Sequence, residues 1–325
     1  MGGTWRTDPR RGAAPPARGA ARPVATYSIV ARDASGALGV AVQSHWFNVG
    51  AIVPWVEPGV GAVAIQSIPE PSHGPRALAL LREGRAPEEV LERLLADDAE
   101  RAYRQIGIVD AAGRTAVHSG ELCIPEAGHA RGDAVAVQAN LMGRATVWPA
   151  MLGAYEASGG DLAERLLAAL EAAEREGGDV RGRRSAAIVV RPAPGGDGPA
   201  FDLRVEDHPD PVGELRRLVL LGRAYHELNR GDALIAAGDV EAASAAYARA
   251  TALVPDEATG GEAPFWAGIA LAGAGRMEEG LPYLRRAAAV DRRWARLLPR
   301  LVRSRLVPDD PGLLDAVGRA LGAGG

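Results

Sequence analysis

From residue 26 onward, apolar positions come in short runs of small and β-branched residues, each run bounded by turn formers. Segments 26–33, 38–49 and 61–68 predict three strands, separated by turns at 34–37 and 57–59 that contain Gly36 and Gly59. Helices are predicted at 74–83 and 86–95. In the second, Pro87 suits a first turn, Glu88 and Glu89 face the positive helix end, and Leu91, Leu94 and Leu95 form an apolar stripe. Strands resume at 105–110 and 115–119 across a hairpin turn at 111–114. A loop at 120–133 then carries Cys123 and His129, and a strand covers 134–138. A helix over 145–176 is expected to break at Gly159 and Gly160. Asp161 caps its second half, Leu162, Leu166 and Leu170 line one face, and Gly177 and Gly178 stop it. Strands at 185–191 and 201–205 precede a linker at 208–211.

Runs of strands separated by runs of helices predict an α+β fold, with two central sheets covered by helices on their outer faces. From residue 214 onward the strand pattern is gone. Gly231, Gly238, Ala243, Tyr247, Ala250 and Pro255 stand at the offsets of a tetratricopeptide helix-turn-helix, and Gly268, Gly275 and Ala287 repeat part of it 37 residues later. In that second copy Leu284 and Arg292 replace the aromatic residue and the proline. Flanking helices are expected at 214–226, 294–306 and 311–321. Such a module binds partner peptides or mediates self-association; the other reading is a helical lid packed on the first domain. The expected domains are therefore an N-terminal extension (1–23), an α+β domain (24–208) and an all-α tetratricopeptide-like module (209–325).

Composition narrows the function classes. With 47% hydrophobic and 24% charged residues the chain reads as soluble and globular. A net charge of −4 argues against nucleic acid as the main partner, and no apolar run approaches the length of a membrane span. All 37 basic residues are arginine, so neither a lysine Schiff base nor a lysine general base is available. The single cysteine, Cys123, excludes an internal disulfide framework and a cysteine-based zinc cluster, and suits a reducing, cytoplasmic setting. Residues 1–23 hold five arginines and four prolines without the apolar core of a secretory signal. Three readings of this segment stand: disorder, a true start near Val24, or a cleaved propeptide.

Polar side chains embedded in apolar strands are the candidate chemistry, because a buried hydroxyl or amide needs a partner. Thr26, Ser28, Gln43, Ser44, His45, Gln66 and Ser67 are of this kind. Thr26 and Ser28 stand at i and i+2, on one face of their strand. At a processed N-terminus such a residue can use its own α-amine as the base, and no lysine is then needed. The bland reading is a pair of hydrogen-bonded hydroxyls. Cys123 and His129 form either a dyad or a small buried thiol beside an unrelated imidazole. Histidine spacing gives no metal motif, and neither a metal nor a cofactor is expected. The glycine- and arginine-rich stretch 177–185 reads either as an anion-binding loop or as a solvated one.

Several motifs together carry a family resemblance: Tyr27-Ser28-Ile29-Val30-Ala31-Arg32-Asp33, Leu38-Gly39-Val40-Ala41-Val42, Val137-Gln138-Ala139-Asn140, and residues 59–64, 181–187 and 203–209. Over about 26–221 the chain resembles the domain-of-unknown-function 1028 family, placed within the N-terminal-nucleophile (Ntn) hydrolase superfamily. The resemblance implies a four-layer αββα sandwich and a cleft with its nucleophile on the first strand. The expectation is an uncharacterised hydrolase of amide bonds in small molecules or peptides. Thr26 or Ser28 is the nucleophile, Ser44 and His45 stand beside it, and Asn140 donates to an oxyanion. Gln66, Ser67 and His73 line the substrate cleft, and Arg184 and Ser185 bind an anionic part of the substrate. The alternative is a non-catalytic ligand-binding or scaffold protein whose repeats recruit a protein partner. A homo-oligomer is expected in either case.

Overall fold

The computed structural model describes residues 26–322; the readings of 1–23 lie outside the described residues. Ten strands form two antiparallel sheets among the described residues. The six-stranded sheet runs β10-β9-β2-β1-β8-β7 and the four-stranded sheet β3-β4-β5-β6. The strands are β1 (Thr26–Arg32), β2 (Leu38–Ser44), β3 (Pro54–Glu57), β4 (Gly61–Ser67) and β5 (Arg104–Asp110). They continue with β6 (Thr115–Ser119), β7 (Gly128–Gly132), β8 (Val135–Asn140), β9 (Ser185–Arg191) and β10 (Phe201–Val205).

The period-2 geometry of a strand sorts the central side chains between two buried faces. On β1, Tyr27, Ile29 and Ala31 pack with α3 (Val147–Ala157), α4 (Leu162–Arg175) and the start of α5 (Pro211–Ala237). Val30 faces the other way, into a cluster with Val40 and Val42 of β2, Ala62 and Ala64 of β4 and Val109 of β5. The outer face of the small sheet (Val63, Ile65, Ile106, Ile108) packs on α1 (His73–Arg82) and α2 (Pro87–Ala96). Each fully buried Val or Ile contributes about 1.5–3 kcal/mol. Asp161 caps α4 as the sequence predicts, its Oδ1 accepting from the Glu164 amide at 3.0 Å.

Three elements differ from the sequence pattern. β7 lies within the predicted loop 120–133: it is an edge strand with His129 and Arg131 on one face and only Ala130, between two glycines, packed on the core from the other, and it takes its structure from pairing with β8. β3 is a four-residue edge strand opened by a proline, too short to show a period. The strand predicted over 38–49 ends at Ser44, followed by a turn and a 3₁₀ helix at Val49–Ala51.

Toward the C-terminus α5 runs on past residue 226, the expected end of the flanking helix 214–226, because no proline or glycine occurs at 226–228 to interrupt it. Its Val212, Leu215 and Val219 belong to the core of the large sheet, while Leu228 packs with Ala243 and Tyr247 of α6 (Val240–Leu253). Gly231 is a close-approach glycine, since a Cβ there would lie 2.4 Å from the Tyr247 ring. α5 ends at Gly238, whose positive φ of 82° suits glycine. A second hairpin, α7 (Glu262–Gly273) with α8 (Met277–Val290), leads into α9 (Leu298–Arg303) and α10 (Pro311–Ala320).

Candidate functional site at the polar end of the two sheets

Strand register, rather than sequence proximity, assembles the polar residues. Thr26 pairs with Ser44 on one side and Asn140 on the other, and Ser44 pairs with Ser185. Ser185, Ser44, Thr26 and Asn140 therefore form one row across four neighbouring strands. The alternate row one step inward holds Ser28 and Gln138 beside Val42 and Ala187. Both rows face the small sheet, where Gln66 pairs with Gln105 and Gln105 with Ser119. Thr26, Ser28, Ser44, Gln66, Gln105, Gln138, Asn140 and Ser185 are all fully buried.

These side chains bond across the layer. Ser28 Oγ donates to Gln66 Oε1 at 2.6 Å and accepts from Gln138 Nε2 at 3.0 Å. Gln66 Nε2 donates to the Thr26 carbonyl at 3.0 Å and to Gln105 Oε1 at 2.7 Å. Gln105 Nε2 passes on to Ser119 Oγ at 2.7 Å, and Asn140 Nδ2 reaches Gln105 Oε1 at 3.0 Å and the Thr26 carbonyl at 3.4 Å. Gln138 Oε1 lies over Gly107, where an added Cβ would meet it at 2.1 Å. The network ends at His129, whose Nδ1 is 3.0 Å from Ser119 Oγ. Partial desolvation, with Arg131 and His118 nearby, lowers the pKa of that exposed imidazole. Amide links fix orientation but do not relay protons, so Ser28 has no base within its own network.

Loops close this end of the molecule. The buried Asp179 carboxylate accepts from the His45 amide at 3.1 Å and holds the Arg181 guanidinium. The Val180 amide bonds to the Leu141 carbonyl and the Gly143 amide to the Gly178 carbonyl. The 177–185 stretch is thus a tethered loop, tied to the ends of β2 and β8. Ser185 Oγ accepts from the Val49 amide at 3.1 Å and donates to the Trp46 carbonyl, pinning the turn after β2. Phe47, Leu122 and Val180, three large exposed apolar side chains, lie on loops at this same end.

Not every predicted site residue joins the cluster. His45 follows Ser44 at its edge, with a buried Nδ1 that has no hydrogen-bond partner. Ser67 ends β4 with a positive φ of 71° and bonds to Cys123 rather than to the glutamines. His73 opens α1 and lies 3.7 Å from Asp98, away from the network. Arg184 is on the surface, forked onto Asp207 at 2.9 and 3.3 Å. Cys123 and His129 take different partners, the thiol contacting the Tyr103 and Arg104 carbonyls. Burial pushes that thiol's pKa up, against its hydrogen bonds with Ser67 and Gly120. Gln43 is turned to the opposite face, in the row of Tyr27 and Ala186, with neither amide atom bonded among the described residues.

Sequence reasoning passed over Gln105, Gln138 and Asp179. The two glutamines carry the same signal as Gln66, an amide inside an apolar strand. The role of Asp179 depends on an amide 134 residues away, which no local pattern encodes. Among the described residues no cluster of three or more His, Cys, Asp or Glu side chains could hold a metal ion, and no helix is long and apolar enough to cross a membrane.

No curated protein matches the chain. Among solved structures it is similar to protein SPO2555 from Silicibacter pomeroyi, described as a DUF1028 protein. The two share 34% identity with a TM-score of 0.56, over 60% of this chain and 84% of that one. The model described as "Family of unknown function (DUF1028)" matches residues 26–215, the part that carries both sheets and the buried polar network. The chain belongs to the family of unknown function DUF1028.

Proposed function

We propose that the chain is an amide hydrolase of the N-terminal-nucleophile type, built on a four-layer αββα sandwich, with Thr26 as nucleophile once its α-amine is free. The observation that carries this reading is the position of Thr26. It begins β1 on the inter-sheet face, between Ser44 and Asn140. No side chain in that row is basic and the chain has no lysine, so an α-amine titrating near neutrality is the base that fits. Ser28 is the weaker candidate, because its proton is already given to the Gln66 amide oxygen. Asn140 Nδ2 is an oxyanion donor close to Thr26, one of its contacts being the long 3.4 Å bond to the Thr26 carbonyl. The exposed Phe47, Leu122 and Val180 favour a small amide or peptide with an apolar group beside the scissile bond. A cytoplasmic location and self-association belong to the same reading.

The test is turnover of a panel of amide substrates by a chain released from a cleavable fusion so that it starts at Thr26. That chain is expected to turn over, T26S to retain activity and T26A to lose it by a factor of about 10³ or more. Equal turnover by T26A and the Thr26-initiated chain sinks the proposal.

A second reading is a binding protein whose tetratricopeptide-like hairpins recruit a partner. It is favoured by the make-up of the network, whose buried members are amides and hydroxyls with the His129 imidazole only at its outer end. Specific ligand binding with an inert Thr26 would select it.

A further inference from the structure

The far end of the chain differs from the rest in charge. Between Arg285 and Arg305 eight arginines face one carboxylate, Asp291, in a chain whose net charge is −4. Elsewhere guanidiniums are commonly matched: Arg104 grips Asp98, Arg216 holds Glu164 and Glu171, and Arg223 holds Asp161 and Glu164. In the basic stretch only Arg286 (on Asp256) and Arg293 (on Asp291) are matched. Arg285, Arg292, Arg296, Arg300, Arg303 and Arg305 have no carboxylate partner among the described residues.

The scaffold beneath is built. Leu298 and Leu301 are buried in a cluster with Phe265 and Val317, and Trp294 stacks on Phe265 with ring centroids 4.6 Å apart. That packing leaves Arg292, Arg296, Arg300 and Arg303 exposed, three or four residues apart along the 3₁₀ turn Arg292–Arg296 and α9. Arg296 and Arg300 also line a cleft of about 610 Å³ with Trp294 and Leu297. Two carboxylates lie in that cleft and both have partners: Asp291 holds Arg293, and Glu262 accepts from the Tyr225 hydroxyl.

We propose that this stripe docks an acidic segment, rich in Asp and Glu, of a protein partner. Guanidinium forks on a fixed helical frame match carboxylates bidentately. A lipid surface fits less well, because Leu298 and Leu301 are buried and Leu306 is a single exposed apolar side chain beside the stretch. A long nucleic acid would have to approach a chain that is strongly negative outside this stretch. The proposal is independent of Thr26 chemistry.

The test is fluorescence anisotropy of the full-length protein with a labelled peptide of alternating Glu and Ser. A single-stranded oligonucleotide of similar charge and vesicles containing phosphatidylserine serve as competing probes. The peptide is expected to bind at low salt and to weaken steeply as salt rises. The double variant R296Q/R300Q should bind about tenfold more weakly, with R296K/R300K intermediate and the control R82Q unchanged. Equal melting temperatures for all variants separate lost contacts from lost fold. Unchanged peptide binding by R296Q/R300Q, no peptide binding at low salt, or tighter binding of the oligonucleotide or vesicles would overturn it.

Discussion

The layer between the two sheets has two ends built on opposite principles. At one end Val30, Leu38, Val40, Ala62, Val109 and Ala136 fill the space with hydrocarbon. At the other Ser28, Gln66, Gln105, Gln138 and Asn140 fill it with hydrogen-bonded amides and a hydroxyl. The strands and their register are the same at both ends, so the difference is chemical. Dispersion and hydrophobic burial are non-directional and tolerate any side chain of the right volume. A buried amide network holds only if each member keeps its partner, and one loss strands several polar groups at once. The apolar end supplies cohesion; the polar end fixes how the sheets align and where Thr26 sits.

The largest expected effect comes from crowding the polar end. Gly107→Val puts carbon into the space occupied by Gln138 Oε1 and should cost about 3 kcal/mol in urea unfolding. Next is chemistry at constant volume: Gln66→Met should lose about 2–3 kcal/mol, because Ser28 and Gln105 are left without their partner. Leu38→Met at the apolar end should cost less than about 1.5 kcal/mol. If the two volume-conserving changes cost the same, the contrast between the ends is void. A double-mutant cycle on Ser28→Ala and Gln66→Ala should return a coupling of about 1 kcal/mol, and a value near zero would mean that the 2.6 Å bond is ornamental.

The smallest effect is a pH dependence outside the layer. Burial lowers the pKa of His73, opposed by Asp98. Burial would raise that of Asp98, but hydrogen bonds from Arg104 and the Glu100 amide hold it below the carboxylate range. In both cases the unfolded chain takes up a proton more readily than the folded one, so stability is full at neutral pH and falls with acid. The His73 contribution should fade as pH drops below about 6.5, and that of Asp98 only nearer 4. In urea melts at stepped pH, His73→Asn should flatten the first decline and leave the second. Stability rising on acidification would contradict this sign.

The fold was legible where local chemistry decides it. The apolar strands β1, β2 and β4, the Asp161 cap and the stop of α4 at Gly177 all read directly from neighbouring residues. β7 was hidden because its core-facing side is a single alanine between two glycines, and its pairing comes from β8 rather than from its own composition. The unbroken α5 was hidden because a repeat pattern suggested a boundary that no proline or glycine enforces. At the candidate site the polar residues were visible as misfits in apolar runs, but their alignment was not. Ser185, Ser44, Thr26 and Asn140 share a row only through pairings that span much of the α+β region. The same gap hid the fork of Arg184 onto Asp207, since its sequence neighbours do not reveal the carboxylate beside it.

The most direct measurement is peptide mapping by mass spectrometry after treating the Thr26-initiated chain with an acylating β-lactone. The expected result is a single adduct on the peptide beginning at Thr26, absent from the T26A variant and blocked by prior acetylation of the α-amine. An unlabelled protein, or an adduct confined to Cys123 or Ser28, would contradict the assignment of Thr26 as nucleophile.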